Sequence, residues 1–370
     1  MNLRIPGPTP CPDDVLEAMS GQMVNHRGPE FAELLSRVTD GLKRFFQTEH
    51  DVLVLTASGT GAMEAVVVNT LSPGDRVLAV SIGAFGDRFG VIAETYGADV
   101  ERLSFDWGMA ADPEAVAEAL ANDDSLRAVL LTHNETATGV TNDLEAIAGA
   151  CRRVRPDVLI LVDAISSLGS LPCSVDAWDL DVVATGSQKG WMVPPGLAMV
   201  SVSPRGWEAF EQAKMPRFYF DFGRAKEMLA KGQTPWTPAV SVFYALDVAL
   251  KRLLADGLGT VVERQRLLGA LTRERVRSLG LELFADEQHA SDTVTAVRVP
   301  EGVDWAAMNK MLREEYQLVL AGGQGKLAGQ IFRIGHLGWV SEDEIEAAIE
   351  SLRGALPRLG FALPEAAPAS

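Results

Sequence analysis

A lysine and an aspartate in this chain each follow a short apolar run of the kind that forms a buried strand. Asp163 closes the run at 158–162, and Lys189 lies in an otherwise uncharged loop after the run at 182–185. A buried lysine amine can form a Schiff base with an aldehyde cofactor, and a carboxylate can keep the ring nitrogen of that cofactor protonated. The two residues together indicate pyridoxal 5′-phosphate (PLP) chemistry, with Lys189 and Asp163 as the catalytic pair.

Both residues also have structural explanations. Most lysines are on protein surfaces, and an aspartate just after a strand is often the N-cap of a helix. Lysine is scarce in this sequence, at eight residues, and Lys189 precedes the rigid Pro-Pro-Gly segment at 194–196. The chemical interpretation is therefore the stronger one for Lys189, whereas Asp163 on its own leaves both interpretations open.

A candidate phosphate site lies between a predicted strand at 52–55 and a predicted helix at 62–68. A strand, a turn of small residues and a helix start direct backbone N–H groups and hydroxyls at one point, which suits an anion. The candidate ligands are Ser58, Gly59 and Thr60. Many such turns are rich in Gly and Ser for turn geometry alone. The motif therefore supports a phosphate site only in combination with Lys189.

Composition and charge narrow the classes of partner. The 370 residues are 47% hydrophobic, and the formal net charge is −17, which argues against nucleic acid or anionic membranes as partners. Apolar stretches are too short to cross a membrane, and no secretory signal opens the chain. Three cysteines, Cys11, Cys151 and Cys173, show no metal-binding spacing. We expect a cytoplasmic protein without a metal site.

Strand and helix patterns alternate along the chain as far as Gly257. This alternation predicts an α/β fold, with a mostly parallel central sheet and helices on both faces. Ligands bind such sheets beyond the carboxyl ends of the strands, where Asp163 and Lys189 fall. A long charged helix and then mixed strands and helices follow Gly257, which predicts a smaller α+β domain. The predicted regions are a Pro-rich extended arm at 1–20, a large PLP-binding domain at 21–256 and a small C-terminal domain at 257–370.

The individual elements are predicted as follows. Strands are expected at 52–55, 76–80, 128–132, 159–162, 182–185, 197–202, 293–299 and 330–334. Helices are expected at 62–68, 112–120, 241–254, 261–279 and 305–315, with two more beginning after Asn142-Asp143 and after Ser341. The terminal segment 364–370 is rich in Ala and Pro, and we expect it to be frayed.

A third charged residue lies inside an apolar strand pattern. Arg333 is flanked by Ile331, Phe332 and Ile334, and a charge in that setting needs a partner. The partner is either one of the many carboxylates of the chain or the carboxylate of a substrate, which a planar guanidinium binds through two hydrogen bonds. Because Lys189 and Asp163 indicate a PLP site, we favour the substrate carboxylate as the partner of Arg333.

The sequence resembles the class V aminotransferases of fold type I, the group that contains alanine–glyoxylate and serine–pyruvate aminotransferases. The resemblance covers nearly the whole chain, and the order and spacing of its motifs are more specific than any one of them. It implies a PLP-dependent enzyme that transfers an amino group from an amino acid to a 2-oxo acid. The matching segments are at 7–10, 58–61, 83–86, 132–139, 162–167, 186–189, 194–196 and 333–335.

The resemblance implies a role for each matching site residue. Lys189 would bind the cofactor as a Schiff base and then move a proton, and Asp163 would pair with the ring nitrogen. Phe85, where relatives often have Trp or His, would stack on the ring, and Thr136 would donate to its phenolic oxygen. The phosphate would be held by Ser58, Gly59, Thr60 and Gln188, with Thr234 (commonly Tyr in relatives) and Thr237 from a neighbouring subunit.

The substrate side of the site follows from the same resemblance. Arg333 would hold the α-carboxylate of the amino acid, and Gly7 and Ser167 would also contact the substrate. The small pocket typical of the family favours alanine or serine as amino donor, with glyoxylate or pyruvate as acceptor. The shared phosphate site implies a homodimer with shared active sites.

Several alternatives stay open from the sequence. An aspartate-type aminotransferase would need an extra cation near the substrate side chain, for which Arg27 is a candidate, although a solvated loop explains Arg27 equally well. A cysteine desulfurase would need a reactive cysteine around 320–330 and typically His over the ring, but the sequence has Phe85 and no cysteine there. A lyase or a phosphoserine aminotransferase remains possible. A non-catalytic subunit with this fold would be expected to lack Lys189 or Asp163.

Two other polar features receive structural interpretations. The glycine-rich segment 322–326 resembles a phosphate loop, but it lacks the strand–loop–helix context and is interpreted as a flexible loop. His133 ends a predicted strand. We interpret it as a hydrogen-bonded structural residue and not as a base.

Overall fold

The computed structural model describes residues 1–364, so most of the predicted frayed segment 364–370 lies outside the described residues. The strands are β1 Asn2–Arg4, β2 Asp51–Ala57, β3 Arg76–Ser81, β4 Asp99–Ser104, β5 Leu126–Thr132, β6 Asn134–Glu135, β7 Val140–Thr141, β8 Leu159–Asp163, β9 Val182–Gly186, β10 Gly196–Val202, β11 Val294–Arg298, β12 Leu318–Gly322 and β13 Ile331–Gly335.

The α-helices are α1 Asp13–Ala18, α2 Pro29–Phe46, α3 Gly59–Thr70, α4 Ala84–Thr95, α5 Pro113–Asn122, α6 Leu144–Val154, α7 Pro204–Gln212, α8 Phe222–Leu229, α9 Val240–Asp256, α10 Leu258–Ser278, α11 Trp305–Glu315 and α12 Glu342–Arg358. Side-chain carboxylates begin two of the predicted helices: Asp143 accepts the N–H of Ala146 in α6, and Asp112 accepts that of Glu114 in α5. Within residues 1–364, no helix is long and apolar enough to cross a membrane.

The central sheet has seven strands in the order β2-β10-β9-β8-β5-β3-β4. All of them run parallel except β10, which pairs antiparallel with both β2 and β9. The predicted α/β class with a mostly parallel sheet is confirmed. Because β8 and β9 are parallel neighbours, their carboxyl ends bring Asp163 and the loop that carries Lys189 to the same edge of the sheet.

Helices cover both faces of this sheet because successive residues of a strand point to opposite sides. Ile160 and Val162 of β8 belong to an apolar cluster with Phe31 of α2, whereas Leu161 belongs to a second cluster with Val66 of α3. All five side chains are fully buried. Burial on both faces explains why the strands are unbroken apolar runs and not alternating patterns.

A second sheet of four strands has the order β1-β12-β13-β11, and α10, α11 and α12 pack around its apolar core. Within the predicted extended arm at 1–20, β1 pairs parallel with β12, and Asp13–Ala18 form the short helix α1. Gly257, with a φ of 80°, separates α9 from α10 where the domain division is predicted. The domain boundaries themselves stay a prediction.

Some elements have no counterpart among the predicted ones. The edge strand β4 is mostly exposed and carries charged residues, so it lacks the apolar run that marks the other strands. β1 has only three residues and is recognisable only through its pairing with β12. β12 contains an apolar run at 318–321 that was not assigned as a strand from the sequence. The glycine-rich segment 322–326 begins at the last residue of β12 and continues into a short 3₁₀ turn, in place of the predicted flexible loop.

Candidate active site

The N-terminus of α3 forms the first part of the site. Ser58 is the N-cap, and its side chain makes no capping hydrogen bond to the helix. Its hydroxyl and the first N–H groups of α3 are therefore available to an anion, which the helix dipole also favours. A side chain on Gly59 would collide with Ile165, whose Cδ1 lies 2.7 Å from the ideal Cβ position. This close approach requires glycine.

Lys189 and Asp163 share a buried environment just beyond the ends of β8 and β9. Asp163 is 4% exposed, and its Oδ1 accepts the N–H of Ile165 at 2.9 Å. Burial raises the pKa of Asp163 to about 6, although that hydrogen bond and the charges of Lys189 and Arg88 act in the opposite direction. Burial lowers the pKa of Lys189 to about 8, against the attraction of Asp163. At neutral pH the carboxyl is therefore ionised, and a part of the amine is neutral.

The N-terminal segment of the chain closes over the lysine. Lys189 Nζ donates to the carbonyl oxygen of Pro6 at 2.8 Å, and the Thr9 hydroxyl donates to the carbonyl of Lys189 at 3.1 Å. An ideal Cβ on Gly7 would lie 2.7 Å from Lys189 Cδ and 2.8 Å from its Nζ. Gly7 also has a φ of 137°, which L side chains rarely adopt. Gly7 therefore lies directly against the lysine side chain.

Phe85 and Thr136 lie on two neighbouring backbone segments. Phe85 is the second residue of α4, and Thr136 follows β6. The guanidinium of Arg88 lies 4.6 Å from the centre of the Phe85 ring. The carboxylate of Glu135 accepts the N–H of Phe85 at 2.8 Å and that of Ala137 at 2.9 Å. One buried carboxylate thus joins the segment that carries the ring to the segment that carries the hydroxyl.

Arg333 approaches from the second sheet, where it lies on β13 and is 5% exposed. Its Nε and Nη2 donate to the carbonyl oxygen of Gly322 at 2.9 and 2.7 Å, and its Nη1 donates to that of Thr136 at 2.9 Å. Within residues 1–364 its hydrogen-bond partners are main-chain carbonyls and not carboxylates. Burial lowers its pKa to about 10, so the group stays charged at neutral pH. Its remaining N–H groups are available to a carboxylate ligand.

One cavity brings most of the predicted cofactor residues together, namely Ser58, Gly59, Thr60, Phe85, Thr136, Asp163, Gln188 and Lys189. The residues that line it without having been assigned from the sequence are Met63, Arg88, Asn134, Ile165 and Ser166. Asn134, Ile165 and Ser166 lie inside motif segments. Met63 and Arg88 lie about one helical turn after Gly59 and Phe85, so helix periodicity alone indicates their positions.

Five predicted site residues are not among those that line this cavity, namely Gly7, Ser167, Thr234, Thr237 and Arg333. Ser167 is fully buried, its hydroxyl has no hydrogen-bond partner among residues 1–364, and its neighbour Ser166 lines the cavity instead. Thr234 is buried and donates to the carbonyl of Trp236 at 2.8 Å, whereas Thr237 is exposed. The role of Ser167 in substrate binding, and of the two threonines in a neighbouring subunit's phosphate site, stay predictions.

Two other polar residues named from the sequence, Arg27 and His133, do not line the cavity. The Arg27 guanidinium donates to the side chain of Gln233 and to the carbonyls of Thr234 and Pro235. Arg27 is an exposed loop residue that anchors the segment carrying Thr234, and it is not among the residues that line this chain's cavity. His133 lines a separate crevice, and burial lowers its pKa to about 4. Its buried Nδ1 has no hydrogen-bond partner among residues 1–364, so the predicted hydrogen bonding of this side chain is not observed.

The residues of the cavity fit PLP. A phosphate needs several donors at one point, which the start of α3 supplies, while the pyridine nitrogen needs an acid and the aldehyde needs an amine, which Asp163 and Lys189 supply. Gln188 also lines the cavity, and its Oε1 is buried without a hydrogen-bond partner among residues 1–364. An amide oxygen only accepts hydrogen bonds, so Gln188 would hold a phosphate through its N–H₂ group.

The family model described as Aminotransferase class-V matches residues 2–336. The chain belongs to the class-V aminotransferase family. The predicted resemblance is confirmed, and with it the use of PLP and of small-molecule amino acid and 2-oxo acid substrates. The chain is therefore a PLP-dependent aminotransferase, and the described cavity is its candidate cofactor site.

Relatives of this aminotransferase match nearly its whole length. It is 46% identical over 364 residues to a Synechococcus sp. (strain PCC 6716) protein named "Soluble hydrogenase, small subunit", covering 97% of this chain and 94% of that protein. It is 39% identical over 357 residues to the serine–glyoxylate aminotransferase of Methylorubrum extorquens, covering 94% and 89%. It is 37% identical over 361 residues to the L-aspartate–glyoxylate aminotransferase of Paracoccus denitrificans, covering 96% and 91%.

The solved structures agree with this assignment. The crystal structure of an alanine–glyoxylate aminotransferase from Nostoc sp. has a TM-score of 0.92 to this chain at 32% identity, covering 96% of this chain and 95% of that one. The fold is therefore that of the fold type I PLP enzymes, as predicted.

The contact between Gly7 and Lys189 predicts the effect of a single methyl group. In Gly7→Ala the added carbon overlaps the lysine side chain, and we expect affinity for PLP to fall at least about tenfold, measured by absorbance titration of the cofactor-free protein. Gly329→Ala is the matched control, because Gly329 has a φ of 76° but no atom within 4 Å of an added Cβ. Equal loss in both variants would attribute the effect to backbone strain and contradict the contact.

The lowered pKa of Lys189 predicts a pH dependence. An amine reacts only when it has lost its proton, so acetylation of Lys189 in the cofactor-free protein should rise with pH around a midpoint near 8. Asp163 favours the charged amine, so Asp163→Asn should move the midpoint to lower pH. Peptide mass spectrometry measures the rate, and Lys189→Ala gives the background. A midpoint near the ordinary 10.5 would contradict the burial of this amine.

Proposed function

We propose that this aminotransferase moves an amino group from L-alanine or L-serine to a small 2-oxo acid, glyoxylate or pyruvate. The observation that carries the proposal is Arg333, a buried guanidinium that main-chain carbonyls orient and whose hydrogen-bond partners among residues 1–364 include no carboxylate. Both substrates of a transamination carry the 1-carboxylate that such a group binds through two hydrogen bonds. One anion site therefore serves donor and acceptor in turn.

The residues of the site divide the chemistry among them. PLP, when bound, conjugates the amino group of the donor to a protonated ring that withdraws electrons from Cα. Asp163 supplies the negative charge that favours protonation of the ring nitrogen, since its pKa of about 6 leaves it ionised at neutral pH. Lys189 takes and returns the Cα proton, because its lowered pKa keeps a useful fraction of the amine neutral. Arg333 orients the donor by its carboxylate.

The relatives support glyoxylate as acceptor and differ in the donor that they name. Serine is named for the Methylorubrum extorquens relative and L-aspartate for the Paracoccus denitrificans relative. One observation favours L-aspartate as a second candidate donor, because Arg88 lines the cavity and supplies an additional positive charge there. The guanidinium of Arg88 stacks on Phe85, so a side-chain carboxylate would compete with that contact. Alanine and serine need no such rearrangement and are preferred.

Absorbance of the PLP-loaded enzyme tests the donor directly. We expect L-alanine or L-serine, added without an acceptor, to convert the band of the lysine-bound cofactor into that of pyridoxamine phosphate, and glyoxylate to restore it. Conversion by L-aspartate alone would favour the second candidate. Lys189→Ala should keep the fold but lose turnover. A loaded enzyme that no amino acid converts would refute the proposal.

The same titration tests Arg333. Arg333→Gln should leave the cofactor band unchanged but raise the donor concentration needed for half conversion about 10- to 100-fold, since hydrogen bonds to charged groups contribute about 1.5–3 kcal/mol. Arg298→Gln is the matched control, because Arg298 lies on the neighbouring strand and is exposed. If the half-conversion concentration changes equally in both variants, or changes in neither of them, Arg333 does not bind the substrate carboxylate.

We further propose a homodimer in which the segment 234–237 of one subunit contributes to the phosphate site of the other. Thr237 is exposed and outside its own chain's cavity. Next to it in space, Phe218 is 65% exposed and stacks on Trp236 with ring centres 4.9 Å apart. Exposed aromatic groups of this kind are common at subunit interfaces.

Light scattering coupled to size-exclusion chromatography tests the dimer. We expect a mass twice the 39.7 kDa of the chain, and we expect Phe218→Asp to shift it toward the monomer and weaken PLP binding. Leu267→Asp changes another exposed apolar residue, 48% exposed, on α10 and should do neither. A monomeric wild-type enzyme with full affinity for PLP would contradict the shared site.

A further inference from the structure

A buried carboxylate lies behind the active site and has no part in the chemistry described so far. Glu135 is 0% exposed. Its Oε2 accepts the N–H of Phe85 at 2.8 Å and that of Gly86 at 3.1 Å, and its Oε1 accepts the N–H of Ala137 at 2.9 Å. Both of its oxygens are therefore used as acceptors, on two segments that are distant in the sequence.

These hydrogen bonds reach three residues of the site. Phe85 is held through its own N–H group. Thr136 lies between Glu135 and Ala137, and the N–H of Ala137 donates to the carboxylate of Glu135, which fixes the turn that contains Thr136. The carbonyl of Thr136 in turn accepts a hydrogen bond from Arg333 at 2.9 Å. One carboxylate thus connects the start of α4, the turn after β6 and, through that turn, the guanidinium on β13.

The start of α4 is shaped to admit this side chain. An ideal Cβ on Gly83 would overlap Glu135 Cγ and would lie 2.8 Å from its Oε2. The backbone of Gly83 is extended, with a φ of 172°, so the requirement for glycine is one of space and not of conformation. The same short segment therefore provides the room for Glu135, two of its donors and the aromatic ring over the cavity.

A carboxylate suits this position better than an amide. Three N–H donors point at the two carboxylate oxygens. A glutamine has an N–H₂ group in place of one oxygen, and this donor would face backbone N–H donors without an acceptor between them. Burial raises the pKa of Glu135 to about 7, while the three backbone hydrogen bonds act in the opposite direction. The N-terminus of α4 also favours a negative charge. With a pKa of about 7, both the protonated and the ionised form are populated near neutral pH, and the three N–H donors favour the ionised form.

We propose that Glu135 is the positioning residue of this active site, which sets the Phe85 ring and the Thr136 hydroxyl at the distance that suits the cofactor. The proposal rests on the proposed roles of Phe85 and Thr136 toward PLP. It assigns Glu135 no contact with the reacting atoms. Glu135 acts by fixing two backbone segments against each other, and through Thr136 it also supports Arg333.

Amide hydrogen exchange of the cofactor-free protein tests the first half of the proposal. In Glu135→Gln we expect the peptides that contain residues 84–88 and 135–139 to exchange at least about tenfold faster than in the wild type, because their hydrogen bonds open more readily. Gly83→Ala should have the same effect by displacing the Glu135 side chain. Asp112→Asn is the matched control, since Asp112 also accepts a backbone N–H at the start of a helix, and it should affect only α5.

Cofactor binding tests the second half. We expect Glu135→Gln and Gly83→Ala to bind PLP about tenfold more weakly and to show reduced circular dichroism of the cofactor band, which reports the setting of the ring. The control should bind like the wild type. Because neither measurement requires turnover, failure of the proposed transamination would leave both readouts intact.

Three results would overturn the proposal. Unchanged exchange at both segments would mean that Glu135 does not hold them. Faster exchange throughout the protein, with the control equally affected, would mean general destabilisation. Faster local exchange with unchanged PLP affinity and dichroism would mean that the two segments do not position the cofactor.

Discussion

Burial of an amine and a carboxyl at one edge of the central sheet is the constraint on which the active site depends. A lone charge in a protein interior is strongly disfavoured, and Lys189 and Asp163 reduce this cost for each other. Burial also brings their pKa values closer together, to about 8 for Lys189 and about 6 for Asp163. Proton movements in the site therefore involve small free-energy differences. The arrangement depends on the parallel pairing of β8 and β9, whose carboxyl ends lie at the same edge of the sheet.

Main-chain groups, more than opposite charges, solvate the ionisable side chains of the site. The carbonyl of Pro6 accepts a hydrogen bond from Lys189, and the carbonyls of Gly322 and Thr136 accept hydrogen bonds from Arg333. Backbone N–H groups donate to the carboxylates of Asp163 and Glu135. Main-chain dipoles are held in place by the strands and helices to which they belong, so they orient a charge without adding a mobile partner. The charges of the cavity are left to act on the cofactor and the substrate.

Local patterns in the sequence predicted the features that local sequence determines. The buried strands before Asp163 and Lys189, the helix start after Ser58 and the apolar strand around Arg333 all lie where those patterns indicate. The features that were missed depend on residues far apart in the chain. Two examples are the close approach of Gly7 to Lys189 and the hydrogen bond between Glu135 and the start of α4, fifty residues earlier. Neither contact produces a periodic pattern in the sequence. The exposed edge strand β4 was missed because it has no apolar run.

The pairing of β1 with β12 also has a consequence for the order in which the molecule is made. Asn2 donates to the carbonyl of Glu344, 342 residues away in the sequence, and β1 has no strand to pair with until β12 exists. At about 5–20 residues per second, a ribosome needs roughly 20–70 s for a chain of this length. β1 thus leaves the ribosome long before the strand with which it pairs. Since the same segment carries Pro6 and Gly7, the pocket around Lys189 is closed only after translation is nearly finished.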